Sequence, residues 1–246
     1  MFPDPLAERL ARSGVAAVVT VENPDDAAPI ARALLAGGVG AIELTFRTAR
    51  AAEAIRRIRA EVPEILAGAG TLLNRAHVEA AMAAGAGFGV APGCNPTTIA
   101  AARECGLPFA PGVMTPTDME IALEHGCRVL KYFPASHLAG PSALETMAAP
   151  FAHLGVRFLP LGGITLASLP PWLASPSVLC VGGSWLAPRE VVQRQDWATL
   201  RRNAELAAQL VRARPLADSA SEVGERVHPG GYCPQIRARS LSPDRA

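Results

Sequence analysis

Eight short, apolar, strand-like runs alternate along the chain with Ala-rich segments bearing Arg and Glu at helical spacing. They are GVAAVVTV from Gly14, AIELTF from Ala41, ILAGAG from Ile65, FGVAPG from Phe88, LPFAPG from Leu107, RVLKYFP from Arg128, VRFLPLGG from Val156 and VLCVGGSW from Val178. Repeats of this kind, spaced by roughly 20 to 28 residues, predict βα units and an all-parallel sheet. Eight such units predict an α/β fold of the (β/α)₈ barrel type. An open doubly wound sheet is the alternative, but no G-x-G-x-x-G follows the first run. Between the runs, helices are expected over 24–36, opened by Asn23 with Pro24 at its first position, over 49–62, and over 74–84, closed by Gly85. Residues 4–13 read as a short helix ahead of the first strand.

The 246 residues suit one large barrel domain, expected over 1–212. After the helix near 196–214 the composition turns to Pro, Ser, Gly and Arg without periodicity, so 213–246 reads as a disordered tail. A net charge of +1 and 5% aromatics argue against a nucleic-acid partner. No charge occurs between Arg157 and Arg189, but prolines and two Gly-Gly pairs interrupt that stretch, which therefore reads as buried strands and turns with no membrane span. The N-terminal residues lack the apolar core of a signal peptide, and five cysteines without a C-x-x-C pair suit a reduced, cytoplasmic protein.

In barrels of this type the functional side chains gather at the C-terminal ends of strands. Within AIELTF and just beyond, period-2 alternation sends Glu43, Thr45 and Arg47 to one side. A carboxylate and a guanidinium so placed can serve a substrate, or they can form a structural ion pair at the barrel mouth. Of the 23 basic residues, 22 are Arg, and the single Lys, Lys131, sits between Leu130 and Tyr132 on a face shared with Phe133. Apolar surroundings disfavour the ammonium form of a lysine and favour the neutral amine, a nucleophile toward carbonyls; an arginine there could not form an imine. The structural alternative is a lysine that snorkels outward or pairs with Glu43. Gly162-Gly163 after the seventh run and Gly183-Ser184 after the eighth stand where barrels commonly bind phosphate through backbone N–H groups. Thr71, ending GAGT, could donate to a carboxylate or cap the following helix. The five histidines show no zinc-ligand spacing and no G-x-S-x-G occurs, so neither a metal nor a serine nucleophile is expected.

ELTFRT from Glu43, GAGT from Gly68, APG from Ala91, PGVMTPTD from Pro111, LKYFPA from Leu130, LGGI from Leu161 and LCVGGSW from Leu179 together resemble the 2-keto-3-deoxy-6-phosphogluconate (KDPG) aldolase family, also known for 4-hydroxy-2-oxoglutarate cleavage. The resemblance runs from about residue 4 to about 212, with each motif at the end of a different strand. It implies a (β/α)₈ barrel, usually a homotrimer, a phosphorylated 2-keto acid as substrate, and a Schiff-base aldol cleavage in the Entner–Doudoroff pathway without cofactor or metal. By the same resemblance Lys131 forms the imine and Glu43 is the acid/base. Arg47 and Thr71 bind the carboxylate, Gly162, Gly163, Gly183 and Ser184 bind the phosphate, and Pro92 and Phe133 line the pocket. Two departures stand out. Leu161 replaces a Thr found in many members, at a position that bears on the C4 epimer; relatives acting on the galactonate epimer carry an aliphatic residue there. The first strand lacks the Pro or Arg that members often show near its end. The rival readings are the same chemistry on the 6-phosphogalactonate epimer and, from another class, a non-catalytic phosphosugar-binding barrel.

Overall fold

The computed structural model describes residues 2–214; of the tail expected over 213–246, everything from 215 on lies outside the described residues. All strands run parallel and, taken around the barrel, follow the order of the sequence. They are β1 (Val15–Val19), β2 (Ala41–Thr45), β3 (Leu66–Gly70), β4 (Gly89–Val90), β5 (Phe109–Ala110), β6 (Gly112–Val113), β7 (Val129–Tyr132), β8 (Arg157–Pro160) and β9 (Val181–Gly183). Each of the eight apolar runs supplies one stave, and the fifth is divided. Pro111 has no N–H to give to a ladder, and around it the stave changes partner: β5 pairs with β4, and β6 with β7. The Pro111 carbonyl still accepts from the Lys131 N–H at 2.9 Å, so the break does not open the wall. β9 closes the ring against β1, while its seam with β8 is held by the single bridges Phe158–Val178 and Leu161–Gly182.

The helices form where capping chemistry allows. Asn74 accepts from the His77 N–H to open Arg75–Ala83, and Asn95 accepts from the Thr97 N–H to open Pro96–Glu104. In the PGVMTPTD motif, Thr115 and Asp118 form a reciprocal capping box at the start of Pro116–Glu124. The segment expected as one helix over 24–36 begins with a 3₁₀ turn, Pro24–Asp26, before the α-helix Ala27–Ala36.

Alternation divides the apolar residues between two cores. Ile42, Leu44, Ala67, Ala69, Leu130 and Phe158 pack outward against the helices. Ala16, Ala41, Leu66, Phe88, Val129, Leu159 and Cys180 fill the barrel interior. The N-terminal helix Asp4–Ser13 adds Leu10 to this inner cluster, with Phe2 and Leu6 against it and the Phe2 ring 6.3 Å from that of Phe88. Leu10 is only 1% exposed, and a leucine so buried contributes about 1.5–3 kcal/mol.

Candidate active site

Above the apolar interior, the inward positions of two staves on opposite sides of the barrel carry charge. Glu43 is the middle residue of β2, between Ile42 and Leu44, which pack outward. Lys131 occupies the corresponding inward position of β7, between the outward-packed Leu130 and Tyr132. Its Nζ lies 3.3 Å from Glu43 Oε1, and the two side chains are 6% and 4% exposed. Residues 88 apart in sequence thus meet inside the barrel. The alternative ion pair, Glu43 with Arg47, is not formed; the carboxylate faces the lysine. Lys131 Nζ also stands 5.4 Å from the centroid of the Phe133 ring, within range of a favourable cation–π contact.

Room for the carboxylate comes from Gly70, at the end of β3. A methyl built there would lie 1.9 Å from Glu43 Oε1 and 2.6 Å from its Cδ. Gly70→Ala is therefore expected to push the carboxylate off Lys131 and lower kcat about 100-fold, the scale of a 1 Å misplacement of a reacting group. Steady-state assay beside a thermal melt checks it; unchanged kcat in a folded variant would mean that the position of this carboxylate is immaterial.

Lys131 and Glu43 look into a cavity of about 530 Å³, walled also by Arg47, Phe133, Leu161, Gly162, Gly163, Gly183 and Ser184. Gly162 and Gly163 adopt φ of +101° and +75°, a region that disfavours residues with a Cβ. Their loop is tied down by Ala135 N–H to the Leu161 carbonyl at 2.7 Å and Ser136 N–H to the Gly162 carbonyl at 2.9 Å. Leu161 packs on Gly182, where a methyl would lie 2.4 Å from Leu161 Cγ, and its apolar side chain forms part of the wall.

Nine of the eleven site residues expected from the sequence line this cavity; Thr71 and Pro92 do not. The backbone of Pro92 packs against Gly112 of the fifth stave. Thr71 stands directly after β3 in the left-handed region, φ +59°. For a β-branched residue that conformation costs on the order of 1–3 kcal/mol, a strain typical of functional turns. It does not cap the next helix, whose cap is Asn74. In the loop after β4, burial, with Asp118 nearby, pushes the Cys94 thiol up to about 11, which disfavours its thiolate.

Sequence reasoning missed Arg189, which lines the same cavity five residues beyond Ser184. The signal is a cation shortly after GGSW, at the first position of the short helix Arg189–Gln193.

A buried lysine held against a carboxylate inside a closed parallel barrel suits the chemistry of barrel aldolases, in which a lysine amine adds to a carbonyl. These are lyases that make and break carbon–carbon bonds. The family model for KDPG and KHG aldolases matches residues 6–203. A 2-dehydro-3-deoxy-phosphogluconate aldolase of Treponema pallidum is 43% identical over 204 residues, 83% of this chain and 96% of that protein. Among solved structures, the 2-keto-3-deoxy-6-phosphogluconate aldolase of Zymomonas mobilis ZM4 with 3-phosphoglycerate superposes with a TM-score of 0.76 at 40% identity, covering 83% of this chain and 95% of that one. The KDPG aldolase of Legionella pneumophila, solved with pyruvate captured as a covalent carbinolamine, gives a TM-score of 0.75 at 32% identity over 85% of this chain and 97% of that one. The chain belongs to the KDPG and KHG aldolase family, and it is an aldolase.

Proposed function

We propose that this enzyme cleaves 2-keto-3-deoxy-6-phosphogluconate to pyruvate and glyceraldehyde 3-phosphate through a Schiff base on Lys131, and that it also splits 4-hydroxy-2-oxoglutarate to pyruvate and glyoxylate. The observation that carries this reading is the Lys131–Glu43 pair, 3.3 Å apart and facing a cavity of substrate size. Arg47, on the cavity wall, holds the carboxylate through its two-pronged fork. Phe133 flanks the bound keto acid, and Gly162, Gly163, Gly183 and Ser184 receive the phosphate.

Glu43 takes a proton from Lys131, and the neutral amine adds to the C2 ketone to give a carbinolamine. Glu43 returns the proton to the departing hydroxyl, so water leaves and a protonated imine remains. The carboxylate then removes the C4 hydroxyl proton, the C3–C4 electron pair flows into the imine, and the aldehyde leaves. Protonation of the enamine at C3 and hydrolysis of the imine release pyruvate. One carboxylate within reach of Nζ serves these transfers in turn. Reduction with borohydride in the presence of pyruvate tests the reading: a stable adduct on Lys131 is expected, and its absence under all conditions would favour a phosphosugar-binding barrel without catalysis. The functional assembly on this reading is a homotrimer in the cytoplasm, to be measured by light scattering; no helix among the described residues is long and apolar enough to cross a membrane.

Leu161 favours a second substrate as well. Its aliphatic wall offers no hydrogen bond to a C4 oxygen, and one neutral hydrogen bond is worth about 0.5–1.5 kcal/mol, a preference of up to about ten-fold. Relaxed discrimination between the 6-phosphogluconate and 6-phosphogalactonate epimers is expected, with Leu161→Thr sharpening it toward the former. The kcat/KM for both epimers in the two proteins decides the matter, and an unchanged ratio would exclude this side chain as the selector.

A further inference from the structure

We propose that Arg189 is the cation that selects the substrate's phosphate, leaving a resting partner, Glu22, to do so. This rests on the aldolase reading above and adds a specificity-determining residue to it. The substrate class has two anionic ends. Apart from Lys131, which faces Glu43, the cations on the cavity wall are Arg47 and Arg189. Arg47 lies four residues beyond Glu43 and serves the carboxylate beside the reacting carbon. Arg189 lines the same cavity as Gly183 and Ser184, with Glu190 also on its wall. Gly183 and Ser184 offer N–H and O–H dipoles without a full charge, whereas a guanidinium gives a phosphate paired, charge-assisted hydrogen bonds of roughly twice the strength of neutral ones.

The structure shows how such a cation is kept available. Arg189 pairs with Glu22, and the two side chains are 71% and 52% exposed, so the pair is held weakly. Arg189 borders the main cavity and two adjoining ones, while Glu22 borders only the adjoining ones. Rotation of the arginine side chain alone therefore exchanges the carboxylate for a ligand in the main cavity. Thr20, just after the first strand and bound to Thr45 through hydroxyls 2.7 Å apart, lines an adjoining cavity of about 340 Å³ that Glu22 and Arg189 also border.

Charge gives the exchange its direction. A phosphate monoester carries about −1.5 to −2 at pH 7 and outbids a single carboxylate. A substrate ending in a carboxylate offers the guanidinium no more charge than Glu22 already does, and one with a neutral end offers none. Glu22 thus acts as an internal competitor that penalises ligands lacking phosphate.

The test compares wild type with Arg189→Ala and Glu22→Gln. It uses KDPG, the same sugar acid without phosphate, and inorganic phosphate as a competing ligand. In Arg189→Ala the ratio of kcat/KM for the phosphorylated over the unphosphorylated acid should fall about 10- to 100-fold, through KM, and phosphate inhibition should weaken in step. In Glu22→Gln phosphate should inhibit several-fold more strongly. Equal losses on both sugar acids, an unchanged ratio, or weaker phosphate binding in Glu22→Gln would overturn the proposal. Should wild type cleave neither acid, the aldolase reading falls separately; titration of inorganic phosphate into wild type and Arg189→Ala, followed calorimetrically, then decides the role of Arg189 alone.

Discussion

Lys131→Arg is expected to fold and to lose turnover by about 10⁴-fold or more, the scale on which covalent catalysts respond to loss of their nucleophile. Arginine places a cation beside Glu43, and the cavity that Lys131 borders gives room for the longer side chain. The barrel should therefore keep its melting temperature within a few degrees. A guanidinium stays protonated, so it cannot add to the C2 ketone and no imine can form. The measurement is pyruvate release together with borohydride trapping and mass analysis. Near-normal turnover, or a trapped pyruvate adduct elsewhere in the chain, would remove Lys131 from the mechanism.

Glu43→Gln should separate imine formation from bond cleavage. The amide fits the space that Gly70 leaves and can still meet Lys131 Nζ, but it neither accepts nor returns a proton at the acidity the steps require. General acid–base catalysis contributes roughly 10²–10⁴ in rate, and kcat should fall by that factor. Pyruvate should remain trappable on Lys131, because a slow dehydration of the carbinolamine is still drawn to completion by reduction. Unchanged kcat would assign the proton transfers to another group. Loss of trapping along with turnover would mean that without the carboxylate the imine does not form at all, where slow formation is expected.

Much of the architecture was open to reading from the chain alone, because strand period and cap chemistry are local. The eight apolar runs, the helix starting after Asn74 and the N-terminal helix all stand where the sequence puts them. Alternation also showed that Glu43 and Arg47 share a side, and that Lys131 shares one with Phe133; all four line one cavity. The split in the fifth stave was less legible. Pro111 predicts a missing donor, yet the change of partner around it depends on where β4 and β7 lie.

The unusual count of a single lysine in an arginine-rich chain marked Lys131 before any geometry, since composition alone reports that this position needs what arginine cannot supply. Its neighbour could not be marked in the same way. The 3.3 Å contact with Glu43 exists because barrel closure turns the inward faces of the second and sixth staves toward each other, a consequence of strand register and tilt summed around the ring. The inner core that includes Leu10 of the N-terminal helix, the seat that Gly70 provides for a carboxylate from the adjacent strand, and the reach of Arg189 into a cavity walled by distant staves have the same origin. Backbone periodicity sets which way each side chain points, and only the closed barrel determines what it meets there.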